Sequence, residues 1–312
     1  MKTVQTVAEP GSANRAFRFK RILCPVDFSP ASLRAFDLAV QLASMHGGRV
    51  HVLHVIPRIV ASLLDIPITT SRWTAAQEEK AKHEFPKLTE RARKHGISAT
   101  TEIKIGDIDI QILKAAKETK ADLLAMGTHG RRGFERWALG SVAERMLRYS
   151  PIPVLLTAST GKRAAPGTIR KILMPTDFSQ GVTEAIGYGV EIAVQAGASI
   201  LLLHVIQDRS AAVDWKSFPE QTAAIQRKLE QLIPVRSKLL RATDARVESG
   251  EPYRVILKAI KDSKPSLVVL STHGHGFVHR VLIGSTAERV IRGGAAMCPM
   301  LMIPPRGSTS TG

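Results

Sequence analysis

Apolar residues along this chain gather into short runs, separated by longer stretches in which they recur every three or four positions. Residues 21–26 read RILCPV, 49–56 RVHVLHVI, 121–127 ADLLAMG and 152–157 IPVLLT, with a more polar run, ISATTEIKI, at 97–105. Short Val-, Ile- and Leu-rich runs of this kind predict strands buried on both faces. Between the first two, Ser29-Pro30 opens a helix, serine as N-cap and proline in the first turn. Leu33, Phe36, Val40 and Ala43 share one face of it, and Gly47-Gly48 ends it. Residues 75–96, AAQEEKAKHEFPKLTERARKHG, predict a second helix with a kink at Pro86. A third helix is expected over 107–120 and a fourth over 141–149. Strand and helix in alternation imply a parallel sheet covered on both faces, and right-handed crossovers make it doubly wound.

The pattern is written twice. Residues 21–56 and 171–206 share 14 identities over 36 ungapped positions, including P-x-D-F-S and L-H-V-I. KIGD at 104–107 answers ESGE at 248–251. The fold expected is therefore α/β, with two tandem doubly wound domains over 19–158 and 169–305, each long enough to bury its own core. A small, polar linker joins them at 159–168, and flexible tails cover 1–18 and 306–312.

Composition adds a bias. The 312 residues carry a formal net charge of +17, which favours polyanionic partners, although no Lys/Arg run is long enough to mark a dedicated patch and a solvated basic surface serves equally well. Two distant cysteines, Cys24 and Cys298, give neither a disulfide framework nor a zinc ribbon and fit a reducing compartment. No apolar run reaches the ~18 residues of a spanning helix, and the N-terminus lacks the apolar centre of a secretory signal, so a cytoplasmic location is expected.

Ligands of doubly wound sheets bind beyond the carboxyl ends of the strands, where strand order reverses. Asp27 and its twin Asp177 fall there. So do two matching stretches: 127–141 reads GTHGRRGFERWALGS and 271–285 reads STHGHGFVHRVLIGS. Gly127 and Gly130 would let backbone N–H groups approach an anion, and Gly140-Ser141 would start a helix whose free N–H groups attract phosphate. The same glycines would also serve simply to turn corners. Asp27 would accept from a ribose hydroxyl or an adenine edge, or act as a turn residue.

P-x-D-F-S, L-H-V-I and G-x2-G-x9-G-[S/T] together resemble the universal stress protein family, and the resemblance covers both halves, as in a tandem member. It implies five-stranded domains of order 3-2-1-4-5 that bind ATP, with Mg²⁺ or Mn²⁺ accompanying the phosphates. By position, Pro25, Val26 and Asp27 would contact the adenosine, with the Val55 backbone at the adenine and Met126 beside it. Gly127, Gly130, Gly140, Ser141 and Val142 would hold the phosphates. The second-half counterparts are Pro175, Thr176, Asp177, Val205, Gly274, Gly284, Ser285 and Thr286. Ser271 departs from the pattern by replacing the first glycine, which makes the first half the better expected site. The resemblance further implies that the fifth strands pair, making an intramolecular pseudo-dimer, with a homodimer of chains as a second arrangement.

Other residues change the picture less. His273, His275 and His279 could rim a metal, but His273 has a twin in His129 and the spacing is no established ligand set. His54 and His204 are expected to be structural. Arg131, Arg132 and Arg136 would screen phosphates or line a solvated loop, and Trp137 would pack. The glycines are followed by no Walker lysine, and no G-x-S-x-G occurs, so dedicated turnover is not expected beyond slow ATP hydrolysis or self-phosphorylation. The function expected is a nucleotide-dependent stress regulator acting on an unknown protein partner. The alternative is a nucleotide-independent protein that binds anionic partners or another protein.

Overall fold

The computed structural model describes residues 17–58, 70–128, 139–158, 169–207, 219–233, 242–272 and 283–305. The first half runs β1 (Arg21–Pro25), α1 (Pro30–His46), β2 (Arg49–Ile56), α2 (Thr70–Lys94), β3 (Ala99–Ile105), α3 (Ile108–Glu118), β4 (Leu123–Gly127), α4 (Ser141–Tyr149) and β5 (Val154–Thr157). The second repeats it as β6 (Lys171–Thr176), α5 (Gln180–Ala196), β7 (Ser199–Ile206), α6 (Pro219–Gln231), β8 (Thr243–Ser249), α7 (Pro252–Ser263), β9 (Leu267–Ser271), α8 (Ser285–Gly294) and β10 (Met300–Ile303). Ser29 caps α1 as its spacing suggested, its Oγ accepting the Ser32 N–H at 3.3 Å, with Pro30 in the first turn. Helix α2 continues through Pro86 as one element. The linker at 159–168, residues 1–16 and the 306–312 segment lie outside the described residues.

All ten strands form one sheet of order β3-β2-β1-β4-β5-β10-β9-β6-β7-β8. Each half is thus a parallel, doubly wound sheet of order 3-2-1-4-5, and the two halves meet through β5 and β10, which run antiparallel. Leu155 faces Leu301 and Leu156 faces Met300 across that seam, and all four side chains are fully buried. Each contributes about 1.5–3 kcal/mol relative to exposure.

At the seam the two halves share core rather than keeping wholly separate ones. The apolar residues form two layers, one on each face of the sheet, and both layers cross the seam. One contains Phe36, Val52 and Leu155 with Ile172, Met174 and Leu301. The other contains Leu23, Met146 and Leu156 with Leu173, Met300 and Met302. Outer strands β3 and β8 carry Glu102, Lys104, Asp244, Arg246 and Glu248, charges that discourage further edge pairing.

A second tie lies where a flexible tail was expected. Phe17 and Arg18 pack against α5 instead: the Phe17 ring meets Tyr188 edge-on at 5.2 Å, and Arg18 pairs with Glu191 at 3.4 Å. Gly187 makes room, since a Cβ there would lie 2.6 Å from the Phe17 ring. Phe19 stacks on Tyr188 at 5.1 Å and donates its N–H to Nδ1 of His46 at 3.3 Å. His46 is 4% exposed, and its Nε2 is buried without a hydrogen-bond partner. Burial, together with the charges of Arg18 and Lys20, lowers its pKa from 6.5 to about 4.

Because the unfolded chain binds a proton here that the folded chain refuses, stability is full above pH 6.5 and falls as the pH drops toward 4. The loss attributable to His46 is up to about 3 kcal/mol. Urea unfolding at a series of pH values should show that decline in the parent and a flatter profile in His46→Asn, whose amide oxygen can still accept from Phe19. Identical slopes would remove His46 from the explanation.

Candidate functional site

Strand β1 lies between β2 and β4, so the carboxyl ends of β1 and β4 flank the crevice where strand order reverses. Asp27 follows β1 and is half-buried there. Its Oδ1 accepts the Ser29 N–H at 3.0 Å, and Asp177 Oδ1 accepts the Ser179 N–H at 2.9 Å. Both aspartates therefore do have the turn role.

The next residue was not singled out from the sequence. Phe28 (φ 63°) and Phe178 (φ 61°) both adopt the left-handed conformation, which costs a bulky residue about 1–2 kcal/mol. Packing holds them there. The Phe28 ring lies 4.9 Å from His54 and 6.0 Å from Phe85, and Phe178 lies 4.6 Å from His204. The histidines are fixed in turn by strand carbonyls, His54 Nδ1 to Val26 O at 2.7 Å and His204 Nδ1 to Thr176 O at 2.9 Å. They have the structural role expected of them, and burial lowers the pKa of His204. The joint presence of Phe in D-F-S and His in L-H-V-I was the available signal.

The ladder also orients the end of β2. The Val26 N–H bonds to Leu53 O, so the backbone of Leu53 faces β1, and that of Val55, two residues on, faces the same side. Pairing with β1 stops at Leu53, which leaves Val55 directed at the crevice beyond Pro25. Gly106 N–H bonds to Ile56 O on the other side, as this alternation requires. In the second half Gly250 bonds Ile206 in the same way, so Val205 faces the equivalent crevice beyond Pro175 and Thr176. Val55 and Met126 side chains, by contrast, lie in the core beneath α3 and α4.

Gly127 and Gly140 have no left-handed backbone. What Gly127 requires is close approach: a Cβ there would lie 2.9 Å from the Ala31 Cβ and 3.0 Å from the Ser32 N at the start of α1. The second half carries Ser271 at the Gly127 position and Gly181 at the Ala31 position. The side chain gained at the strand end in the second half is matched by one lost at the equivalent helix position.

Helices α4 and α8 begin at the crevices. Gly140 N–H bonds to Thr128 O, and Gly284 N–H to Thr272 O, both at 2.8 Å. Gly140 and Gly284 are the N-caps, and neither helix has a side-chain cap. The first intrahelical bond of α4 is Glu144 N–H to Gly140 O, so the N–H groups of Ser141, Val142 and Ala143 precede it. Ser285, Thr286 and Ala287 stand likewise in α8. Each helix is braced from behind, Arg145 on Asp109 at 2.6 Å and Arg289 on Glu251 at 2.8 Å. Gly130 and Gly274 lie outside the described residues, as do Arg131, Arg132, Arg136, Trp137, His273, His275 and His279.

The model of the universal stress protein family matches this chain twice, over residues 18–158 and 168–304. The chain belongs to that family. A universal stress protein of Mycolicibacterium smegmatis is 27% identical over 299 residues, 91% of this chain and 97% of its own length. One from Methanocaldococcus jannaschii is 33% identical over 147 residues, 46% of this chain and 85% of its own. The crystal structure of a universal stress protein from Archaeoglobus fulgidus shares the fold, with a TM-score of 0.69 at 22% identity over 95% of this chain and 100% of its own. The tandem arrangement is thus a feature of this universal stress protein along nearly its whole length.

Gly127→Ser should destabilise by about 1–3 kcal/mol through overpacking against α1. Adding Ala31→Gly should bring stability back to within about 1 kcal/mol of the parent. Urea midpoints of the single and double variants decide it: without recovery, the two positions do not share one space.

Proposed function

We propose that this universal stress protein is an ATP-binding regulator whose two halves each hold a nucleotide, with hydrolysis or self-phosphorylation slow at most. The observation that carries this reading is the pair of helix starts, α4 and α8, that face the strand-order reversal without a side-chain cap. Free N–H groups and the positive end of a helix dipole suit an anion of the size of a phosphate. The Ser141 and Ser285 hydroxyls stand at the same positions and are exposed. The backbones of Val55 and Val205 suit the hydrogen-bonding edge of adenine, and Asp27 and Asp177 a ribose hydroxyl. Among the described residues no three His, Cys, Asp or Glu side chains gather to hold a metal. A Mg²⁺ or Mn²⁺ ion accompanying ATP would then be held chiefly through the phosphate oxygens. Bound ATP would act at these helix starts, and so select the protein partner.

No described helix is long and apolar enough to cross a membrane.

Gly140→Asp places a carboxylate at the first helix start, and like charge together with bulk should weaken ATP–Mg²⁺ binding there by more than tenfold. Gly284→Asp should do the same in the second half. Isothermal titration of each variant should show one class of sites lost and the other kept, with thermal unfolding confirming the fold. Unchanged titrations in both variants would exclude these helix starts as the phosphate sites.

A further inference from the structure

Two nucleotide crevices do not account for a net charge of +17. On the face covered by α3, α4, α7 and α8, matching cations of the two halves lie without a described ion pair. Most cations there are spoken for: Arg148 by Glu144, Arg292 by Glu288 and Lys258 by Asp262, at 2.8–3.0 Å. Lys117, Lys120, Lys261 and Lys264 are exposed, and no described carboxylate lies within ion-pair distance of them. They occupy matching places at the ends of α3 and α7, two from each half. Arg21 and Lys171 stand beside them at the starts of β1 and β6. In the first half Asp122 receives the N–H groups of Lys20 and Arg21, at 3.0 and 2.9 Å. In the second, Ser266 does the same for Arg170 and Lys171, at 2.9 and 3.0 Å, without adding a negative charge.

A separate observation sets two of these residues apart. Lys120 (φ 50°) and Lys264 (φ 49°) hold the left-handed conformation, where glycine would cost less. Helix-dipole complementarity does not explain keeping lysine there twice, because Lys117 and Lys261 already stand in the last turns.

The seam fixes how the clusters relate. Register runs from Leu124 to Val154, to Met302, to Leu270, so β4 and β9 lie side by side in opposite directions, three strand spacings apart. Strand dimensions put their starts about 14 Å apart across the sheet and about 13 Å along it, with the lysines a few residues further out on each side. The clusters are thus on the order of 30 Å apart on one face, related by a two-fold turn, close to one turn of duplex nucleic acid (~34 Å).

We propose that this face binds the phosphodiester backbone of duplex nucleic acid without sequence preference, one lysine cluster at each end. A membrane surface fits less well, because a peripheral helix needs an apolar stripe to insert. Ile112, Ala115, Ile256 and Ile260 of α3 and α7 are instead buried in the core, and the large apolar residues left exposed on the described helices of this face are Ile110 and Tyr149, one on each of α3 and α4. This function is independent of ATP in the crevices.

The test is fluorescence anisotropy of a labelled random-sequence duplex of about two helical turns, titrated with the full chain at several salt concentrations. The parent should bind, and its affinity should fall steeply with salt. Replacing Lys117, Lys120, Lys261 and Lys264 together by Gln should weaken binding at least tenfold and reduce the slope of log K against log salt by about 3–4. Replacing Lys80, Lys82, Lys87 and Lys94 of α2, on the opposite face, removes the same charge and should change affinity less than twofold. Equal losses in the two quadruple variants would overturn the assignment to this face. So would absence of duplex binding at low salt, or binding of phosphatidylglycerol-containing vesicles in preference to duplex.

Discussion

The antiparallel pairing of β5 with β10 is the constraint on which the rest of this molecule depends. It joins two parallel half-sheets into one, carries both core layers across the join, and covers two strand edges that would otherwise be open to other chains. Because the pairing is antiparallel, it also turns one half end for end relative to the other within the plane of the sheet. The two crevices therefore open at opposite ends of the sheet, while the helices on each face remain on that face. Residues 17–19 reinforce the join by packing Phe17, Arg18 and Phe19 of the first half on Tyr188 and Glu191 of the second.

Each crevice depends on a smaller constraint, the sharp turn after β1 and β6. A phenylalanine held in a left-handed conformation reverses the chain, and a histidine bonded to the strand carbonyl supplies the surface on which its ring rests. That turn leaves the aspartate at the crevice and starts the following helix. Where that helix starts decides how close the end of β4 must come, which is why position 127 is glycine and why Ser271 is paired with Gly181. At position 127 the glycine also answers a packing requirement between strand and helix.

The α/β class, the repeat and the strand order were legible because they rest on local periodicity and on identities that recur at a fixed offset. The crevice was legible too, since Asp27, Gly127 and Gly140 sit at strand ends and helix starts that the pattern defines. Other features depend on contacts between distant positions. Nothing in the apolar pattern distinguishes a core bounded by one half from a layer shared by two. Phe17 and Arg18 read as tail because their partners on α5 are about 170 residues away in sequence. The unpaired lysines were equally hidden: a run of Lys and Arg is visible in sequence, whereas two matching clusters placed on one face by the seam, at the ends of α3 and α7, are not.

Twin crevices in one rigid sheet make a definite claim about stoichiometry. Native mass spectrometry of the full chain saturated with ATP and Mg²⁺ tests it directly. Two nucleotides per chain is the expected count, filling in two steps of similar affinity. A single nucleotide would show that the halves are not equivalent at their helix starts, and none would show that those starts hold no nucleotide.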